Sequence, residues 1–330
     1  MDPQYVNIHG WALPPGSEAE ILELAQEHFD LVWFFKLRTA NYFRQACWEG
    51  SVLDVDDLPS SATGSHGKLT GGWKARVRGW VLARTLRLHE KRLAGRFGVL
   101  AVCSEADREL LGGNPAIRMI PNGFERPATA PPRRLSSPPR IGFIGLMDYE
   151  PNRDGVCWFL EKCWPDLRRA MPDLTFRLAG KGADEAIPTP VPGVDVLGWV
   201  EDAASEIATW SLMVIPIRSG AGTRIKIADT FSRQCPAVST RLGAYGYDVQ
   251  DGVQLRLADT PEDFTRACVE VLQDPDGAKA IAERAWQDFL EKWTWEAIEP
   301  RVWETVSAAS RIANGGCGEK PSPQSSSPLP

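Results

Sequence analysis

Short apolar runs alternate along the chain with stretches whose apolar residues recur every three or four positions, and the alternation is clearest in the second half. Residues 141–145, 174–180, 194–198, 212–217 and 237–240 have the length and β-branched content of buried strands. Between the first two, Val156, Phe159, Leu160, Cys163 and Leu167 fall on one helical face. Asn152 stands where a helix cap is expected, and Pro165 is placed to divide the helix. The first half shows the same alternation more sparsely, with strands at 31–35, 52–55, 99–103 and 117–120 and a helix around 18–28. Strands separated by helices predict a parallel sheet covered on both faces. The expected fold is therefore α/β, with two Rossmann-like parallel-sheet domains and a ligand crevice at the carboxyl ends of their strands.

Five prolines (127, 131, 132, 138 and 139) lie between Phe124 and Arg140 with no apolar periodicity, the signature of a stiff surface linker. The expected organisation is a first domain over 1–125, a linker over 126–139 and a second domain with terminal helices over 140–312. A Gly/Ser/Pro tail over 313–330 cannot bury enough apolar surface to order itself. A length of 330 residues suits two domains. With 37 basic against 43 acidic residues the net charge is −6, which argues against nucleic acid as a partner. No apolar stretch approaches the ~18 residues of a membrane span, and the first residues do not read as a secretory leader. The seven cysteines are odd in number and scattered, so no disulfide framework or zinc knuckle is predicted and a cytoplasmic location fits.

Candidate chemistry gathers at strand ends. Gly180-Lys181-Gly182 lacks the third glycine of a dinucleotide fingerprint, and no Walker loop is present. Glycines nevertheless close three successive strands: Gly145, then Gly180 and Gly182, then the loop Ser219-Gly220-Ala221-Gly222-Thr223. That last loop runs into a helix predicted to begin near Thr223, whose amino end favours phosphate, and Arg224 and Lys226 follow at once. Any one of these reads as a turn glycine or a solvated cation. Their coincidence at three strand ends favours a diphosphate site. Asp229 suits either an ion pair with Lys226 or hydrogen bonds to a ribose.

The motifs Cys103-Ser104-Glu105, Ile120-Pro121-Asn122-Gly123, Phe143-Ile144-Gly145, Pro151-Asn152, Gly198-Trp199-Val200 and Gly222-Thr223-Arg224-Ile225-Lys226 occur in this order, followed by Val238-Ser239-Thr240 and Gly243-Ala244. Over roughly residues 20 to 310 this ordered set resembles the family 4 glycosyltransferases of the GT-B fold. The resemblance implies transfer of a sugar from a nucleotide-sugar donor to an acceptor hydroxyl, with retention and without a metal or other cofactor. The donor would lie on the second domain and a sugar or lipid-linked acceptor on the first. It further implies that Arg224 and Lys226 stabilise the leaving diphosphate. Asp229 takes the position of the carboxylate that holds the donor ribose, Trp199 and Val200 lie in the loop beside the base, and Lys181 approaches the donor. Two positions depart from the family. Ala221 stands where a first glutamate is usual, and Leu146 stands where an arginine is usual, with Arg153 as its substitute. The family's opening strand and glycine-rich acceptor loop are not found, so the first domain is expected to be shortened. This keeps open a second reading, a nucleotide-sugar-binding remnant or accessory subunit without turnover.

Two further features bear on the acceptor. Asp54-Val55-Asp56-Asp57 follows a strand, and His66 lies in a Gly/Ser loop at 60–72; Asp54, Asp56 and His66 are the acceptor-side candidates, with no metal assigned to them. Residues 68–96 hold nine basic residues against one acid, Glu90, with Trp73, Val77, Trp80, Val81 and Leu88 at helical spacing. A helix of this kind lies on an anionic membrane or packs its apolar face on its own sheet, and the second is the expectation.

Overall fold

The computed structural model describes residues 13–40, 42–43, 48–56, 58–60, 73–93, 95–220 and 222–313. The first domain contains α1 (Ser17–His28), β1 (Val32–Phe35), α2 (Leu37–Ala40), β2 (Trp48–Asp54), α3 (Trp73–Leu93), β3 (Phe97–Val102), α4 (Glu105–Leu110) and β4 (Ile117–Met119). The second contains β5 (Arg140–Ile144), α5 (Glu150–Lys162), α6 (Trp164–Ala170), β6 (Thr175–Ala179), α7 (Ala183–Ala186), β7 (Val194–Gly198), α8 (Ala203–Ala208), β8 (Leu212–Ile215), α9 (Ile225–Ser232), β9 (Ala237–Ser239) and β10 (Arg256–Leu257). Three long helices close the chain: α10 (Pro261–Gln273), α11 (Pro275–Lys292) and α12 (Trp295–Ala313).

Each predicted strand is present. Pro165 does divide its helix, with Cys163 separating α5 from α6. The cap lies elsewhere than expected. Tyr149 precedes α5, Pro151 occupies its first turn, and Asn152 is buried inside the helix with Nδ2 donating to the Leu146 carbonyl at 2.7 Å. Proline suits the first turn because the amide it lacks would have had no helical partner. Other starts follow the ordinary capping rule: Ser104, Thr260 and Asp274 accept from the amides of Asp107, Asp263 and Gly277.

Both sheets are parallel, with orders β1-β2-β3-β4 and β10-β9-β8-β5-β6-β7. In the first core, Phe34 meets Phe43, Trp48 and Phe97 edge-on with centroids 5.4, 4.9 and 5.3 Å apart. The second core is built on Phe143, Phe159, Phe176, Trp210, Phe231 and Phe264, all fully buried. In the second sheet the chain winds outward from β5 through β6 to β7, then returns to place β8 on the other side of β5. That reversal leaves a crevice at the carboxyl ends of β5 and β8, the usual ligand position in such sheets.

The chain passes between domains twice, and the passages are tied together. The Phe124 amide donates to the Trp293 carbonyl at 2.9 Å, and the Trp295 amide donates to the Phe124 carbonyl at 3.0 Å. Beyond this junction α12 packs on β2 and β3, where Ala309 is buried with Val52, Val99 and Ala101. The last helix thus belongs to the first domain's core and not to the second, where the sequence reading put it. Its small apolar residues fit the face of that sheet, a pairing that helical periodicity does not reveal.

Helix α3 also departs from expectation. Leu86 and Glu90 turn inward, and Glu90 accepts from the Ser60 amide at 2.8 Å. Trp73, Val77, Trp80, Val81 and Leu88, expected against the sheet, are exposed instead. No helix among the described residues is long and apolar enough to cross a membrane.

Candidate functional site

The crevice between β5 and β8 is lined by the loops that follow those strands and by the start of α9. Gly145 ends β5, and a Cβ there would lie 2.8 Å from Lys226 Nζ and 2.9 Å from Asn152 Nδ2. Only a residue without a side chain lets the ammonium come so close to the backbone. Gly180, after β6, has φ +128°, and its Cβ would lie 1.9 Å from the Gly145 carbonyl oxygen, so the two glycine loops touch backbone to backbone. Gly182 caps α7 and faces Asp148. On the β8 side, Gly220 packs under the Tyr149 hydroxyl and the Arg224 guanidinium, whose Nη2 donates to the Ser219 carbonyl at 3.2 Å. Gly222 is buried, with φ +81°. The predicted glycine loops therefore meet at one crevice.

Arg224 is buried and stands just before α9, and Lys226 follows in its first turn. Lys226 is half-buried overall, with Nζ 5.1 Å from the centre of the Phe143 ring. Burial, and after it repulsion from Arg224, pull its pKa from 10.5 down to about 8, with Asp229 pulling the other way. Two cations held side by side in a glycine-lined crevice have the chemistry to hold an anion. The Ser219 and Thr223 hydroxyls are buried in the same loop with no hydrogen-bond partner among the described residues, which leaves them for a polar ligand.

Other predicted residues are placed less centrally. Asp229 forms a long ion pair with Arg233 at 3.5 Å and not with Lys226. Lys181 is exposed beside Gly182, Trp199 is 75% exposed at the end of β7, and Val200 is half-buried. Arg153 is exposed on α5, and its charge acts on the Cys157 thiol. The guanidinium that meets α5 is Arg218 of the β8 loop, which donates to Asp154 of α5 at 2.7 Å, while Arg153, expected to replace the arginine missing at Leu146, stays exposed on that helix. Ala221 and His66 lie outside the described residues.

Across from this site, the carboxyl ends of the first domain's strands carry a polar cluster. Lys36 after β1 and Asp56 after β2 both have left-handed backbones (φ +69° and +60°), and their side chains pair at 3.1 Å. Strained non-glycine residues of this kind concentrate at functional sites. Asp56 donates its amide to Asp54 at 3.3 Å. Burial raises the Asp54 pKa, against that amide bond and against Lys36. Cys103 Sγ lies 4.0 Å from Asp56 Oδ1 and 3.8 Å from Asn122 Oδ1. Asp54 and Asp56 are thus together, joined by Lys36, Cys103 and Asn122, which had not been singled out as site residues. Cys103 and Asn122 stand in motifs of the ordered set above, whereas the signal for Lys36 in the sequence is its position just past a strand.

Two tyrosines of the second domain, Tyr245 and Tyr247, face the first. Tyr245 donates its hydroxyl to buried Asp107 at 2.9 Å. Asp107 has its pKa raised by burial, and its hydrogen bonds from Ser104 and Tyr245 pull it back. The Tyr247 hydroxyl is within electrostatic reach of both Asp229 and Cys103.

Residues 138–274 match the family profile described as glycosyl transferases group 1. A protein described as an uncharacterized 44.6 kDa protein in the cps region of Klebsiella pneumoniae is 24% identical over 172 residues, or 49% of this chain and 44% of that one. Among solved structures, sucrose-phosphate synthase from Thermosynechococcus elongatus aligns with a TM-score of 0.65 and 14% identity over 88% of this chain and 77% of that one. HepE from Anabaena, in complex with UDP and glucose, aligns with a TM-score of 0.58 and 15% identity over 88% of this chain and 80% of the other. TarM aligns with a TM-score of 0.64 and 13% identity, over 87% of this chain. The chain spans 57% of the length of TarM, and its match to the Klebsiella protein spans 44% of that relative. The fold is that of the GT-B glycosyltransferases, two Rossmann-like domains, and the second domain carries the region that matches glycosyl transferases group 1.

Proposed function

We propose that the protein transfers a sugar from a nucleoside-diphosphate donor to an acceptor hydroxyl, with retention at the anomeric carbon, as the likeness to family 4 implies. The observation that carries this reading is the Arg224–Lys226 pair, set beside unpartnered Ser219 and Thr223 hydroxyls where glycine loops from β5, β6 and β8 converge. The diphosphate would sit between the pair and the loop amides, with the nucleoside toward Trp199 and Asp229. As the glycosidic bond breaks, charge builds on the departing diphosphate. Two cations already fixed in the crevice stabilise it without waiting for solvent to reorganise, which is the work a metal ion would otherwise do. The Lys36, Asp54, Asp56, Cys103 and Asn122 cluster supplies hydrogen-bonding groups for the acceptor hydroxyl. The matching region and the UDP complex of a protein of the same fold support the donor class.

Calorimetric titration with UDP, GDP and ADP, with and without EDTA, tests the reading directly. One of the three should bind in the range from about 1 μM to 1 mM typical of enzyme substrates, unaffected by the chelator, and the matching nucleotide sugar should then release its sugar. No binding by any of them would overturn the proposal. Binding without release would assign the chain a nucleotide-sugar-binding role without turnover. Trp199→Ala should weaken binding of the preferred nucleotide roughly three- to tenfold, the worth of one aromatic contact, and leave pyrophosphate binding unchanged. An equal loss for both ligands would remove Trp199 from the base site.

A further inference from the structure

We infer that α3 is a docking surface for an anionic lipid bilayer, a reading that stands independently of the donor site. Exposed Trp73, Val77, Trp80, Val81 and Leu88 recur at intervals of three, four and seven residues along one side of the helix. Leu86 and Glu90, which hold the helix to the domain, lie on the other side. The apolar stripe therefore points away from the protein. Helix α3 carries seven basic residues and one acid, and that acid is the buried Glu90. Lys74 lies 5.8 Å from the Trp73 ring and Arg84 5.9 Å from the Trp80 ring, so positive charge borders both indoles. Tryptophans flanked by lysine and arginine on an exposed helix suit the boundary between lipid headgroups and acyl chains.

Charge decides between a bilayer and a second copy of the chain. A two-fold pairing of this face would bring its own cations together, whereas an anionic surface complements them. The chain as a whole carries a net −6, so the basic stripe is a local feature and not a general property of the surface.

The test is co-flotation of the full chain with vesicles of phosphatidylcholine alone or with roughly a third phosphatidylglycerol, combined with light scattering in the absence of lipid. Binding should require the anionic lipid and be lost at about 0.5 M salt, where screening leaves a Debye length of only a few ångströms. Lys74→Gln with Arg84→Gln should lower the partition coefficient about 25-fold, near fivefold per charge. Trp73→Ser with Trp80→Ser should lower it tenfold or more, with an unchanged circular dichroism spectrum because both indoles are exposed. Failure to float with anionic vesicles, equal flotation with neutral ones, or binding untouched by the double tryptophan change would each overturn the inference. So would a lipid-free dimer that the same change dissociates, which would give the face to a second copy. None of these results bears on nucleotide binding, so failure here leaves the donor-site reading to its own test.

Discussion

Lys226→Met is expected to make the protein more stable and less able to hold a diphosphate. The depressed pKa of Lys226 means that folding opposes its charge. Below pH 8 the lysine is protonated in folded and unfolded chains alike, and the folded state bears the full cost. Between about pH 8 and 10.5 the folded chain releases the proton that the unfolded chain keeps, so stability rises with pH across that window and the cost is gone above it. A fall from 10.5 to about 8 corresponds to about 3 kcal/mol at neutral pH, as an upper figure for a half-buried group. Methionine keeps much of the stem that packs near Phe143 and removes the charge. Thermal melting at pH 7 should therefore shift upward in the variant, and the gain should vanish above pH 10.5. Affinity for the preferred nucleoside diphosphate should fall by about 10- to 100-fold, the worth of one charge-assisted hydrogen bond. Sugar transfer should fall by about 10²- to 10³-fold if the ammonium meets the leaving group. In the unaltered protein affinity should weaken above pH 8 as Lys226 loses its proton; in the variant that limb should be flat. Lower stability with unchanged affinity would make Lys226 a packing residue.

The same balance shows why this part of the site was legible in the sequence. A helix start preceded by glycines needs no distant partner to be recognised, because loop, cap and cations are contiguous from Ser219 to Lys226. Gly145, Gly180 and Gly182 were legible for a related reason: each follows an apolar run short enough to be a strand, so position alone places it at a carboxyl end. What escaped was pairing over long separations. Tyr245 meets Asp107 across 138 residues and Arg218 meets Asp154 across 64, and no periodicity encodes either. The basic helix misled for a different reason. An apolar stripe at helical spacing has the same pattern whether it faces a sheet or solvent, and only the inward turn of Leu86 and Glu90 separates the cases. Strand edges blurred where polar residues interrupt: β2 begins at Trp48, four residues before its apolar run at Val52, because Trp48 already pairs with Phe97 of β3 and the register shifts across Glu49, Gly50 and Ser51 before it resumes at Val52 and Val99.

Gly180→Ala is expected to be the most damaging single methyl in the donor half. The added carbon would lie 1.9 Å from the Gly145 carbonyl oxygen and 2.7 Å from its carbonyl carbon, where nothing but backbone could move. Neither strand is free to retreat. The Gly145 amide is held by the Ala179 carbonyl at 3.0 Å, and the Gly180 amide by the Gly198 carbonyl at 2.7 Å. At φ +128° alanine also meets its own backbone. Together these place the substitution among the severe cases, about 4 kcal/mol or more. At a few degrees per kcal/mol, melting should fall by roughly 10 °C or more. Gly182→Ala is the control, because it also sits at positive φ (+79°), but its nearest neighbour is the exposed Asp148 carboxylate at 3.1 Å, which can swing away. Its cost should be about 1 to 2 kcal/mol, that of a left-handed alanine alone. Unfolding curves for the two variants separate backbone collision from backbone preference, and equal losses would mean that the β5 and β6 loops are not in contact. If they are, the collision acts where the two loops must meet to form the proposed anion site, so any Gly180→Ala protein that still folds should have its loops parted and its nucleotide affinity lost, while folded Gly182→Ala keeps most of it.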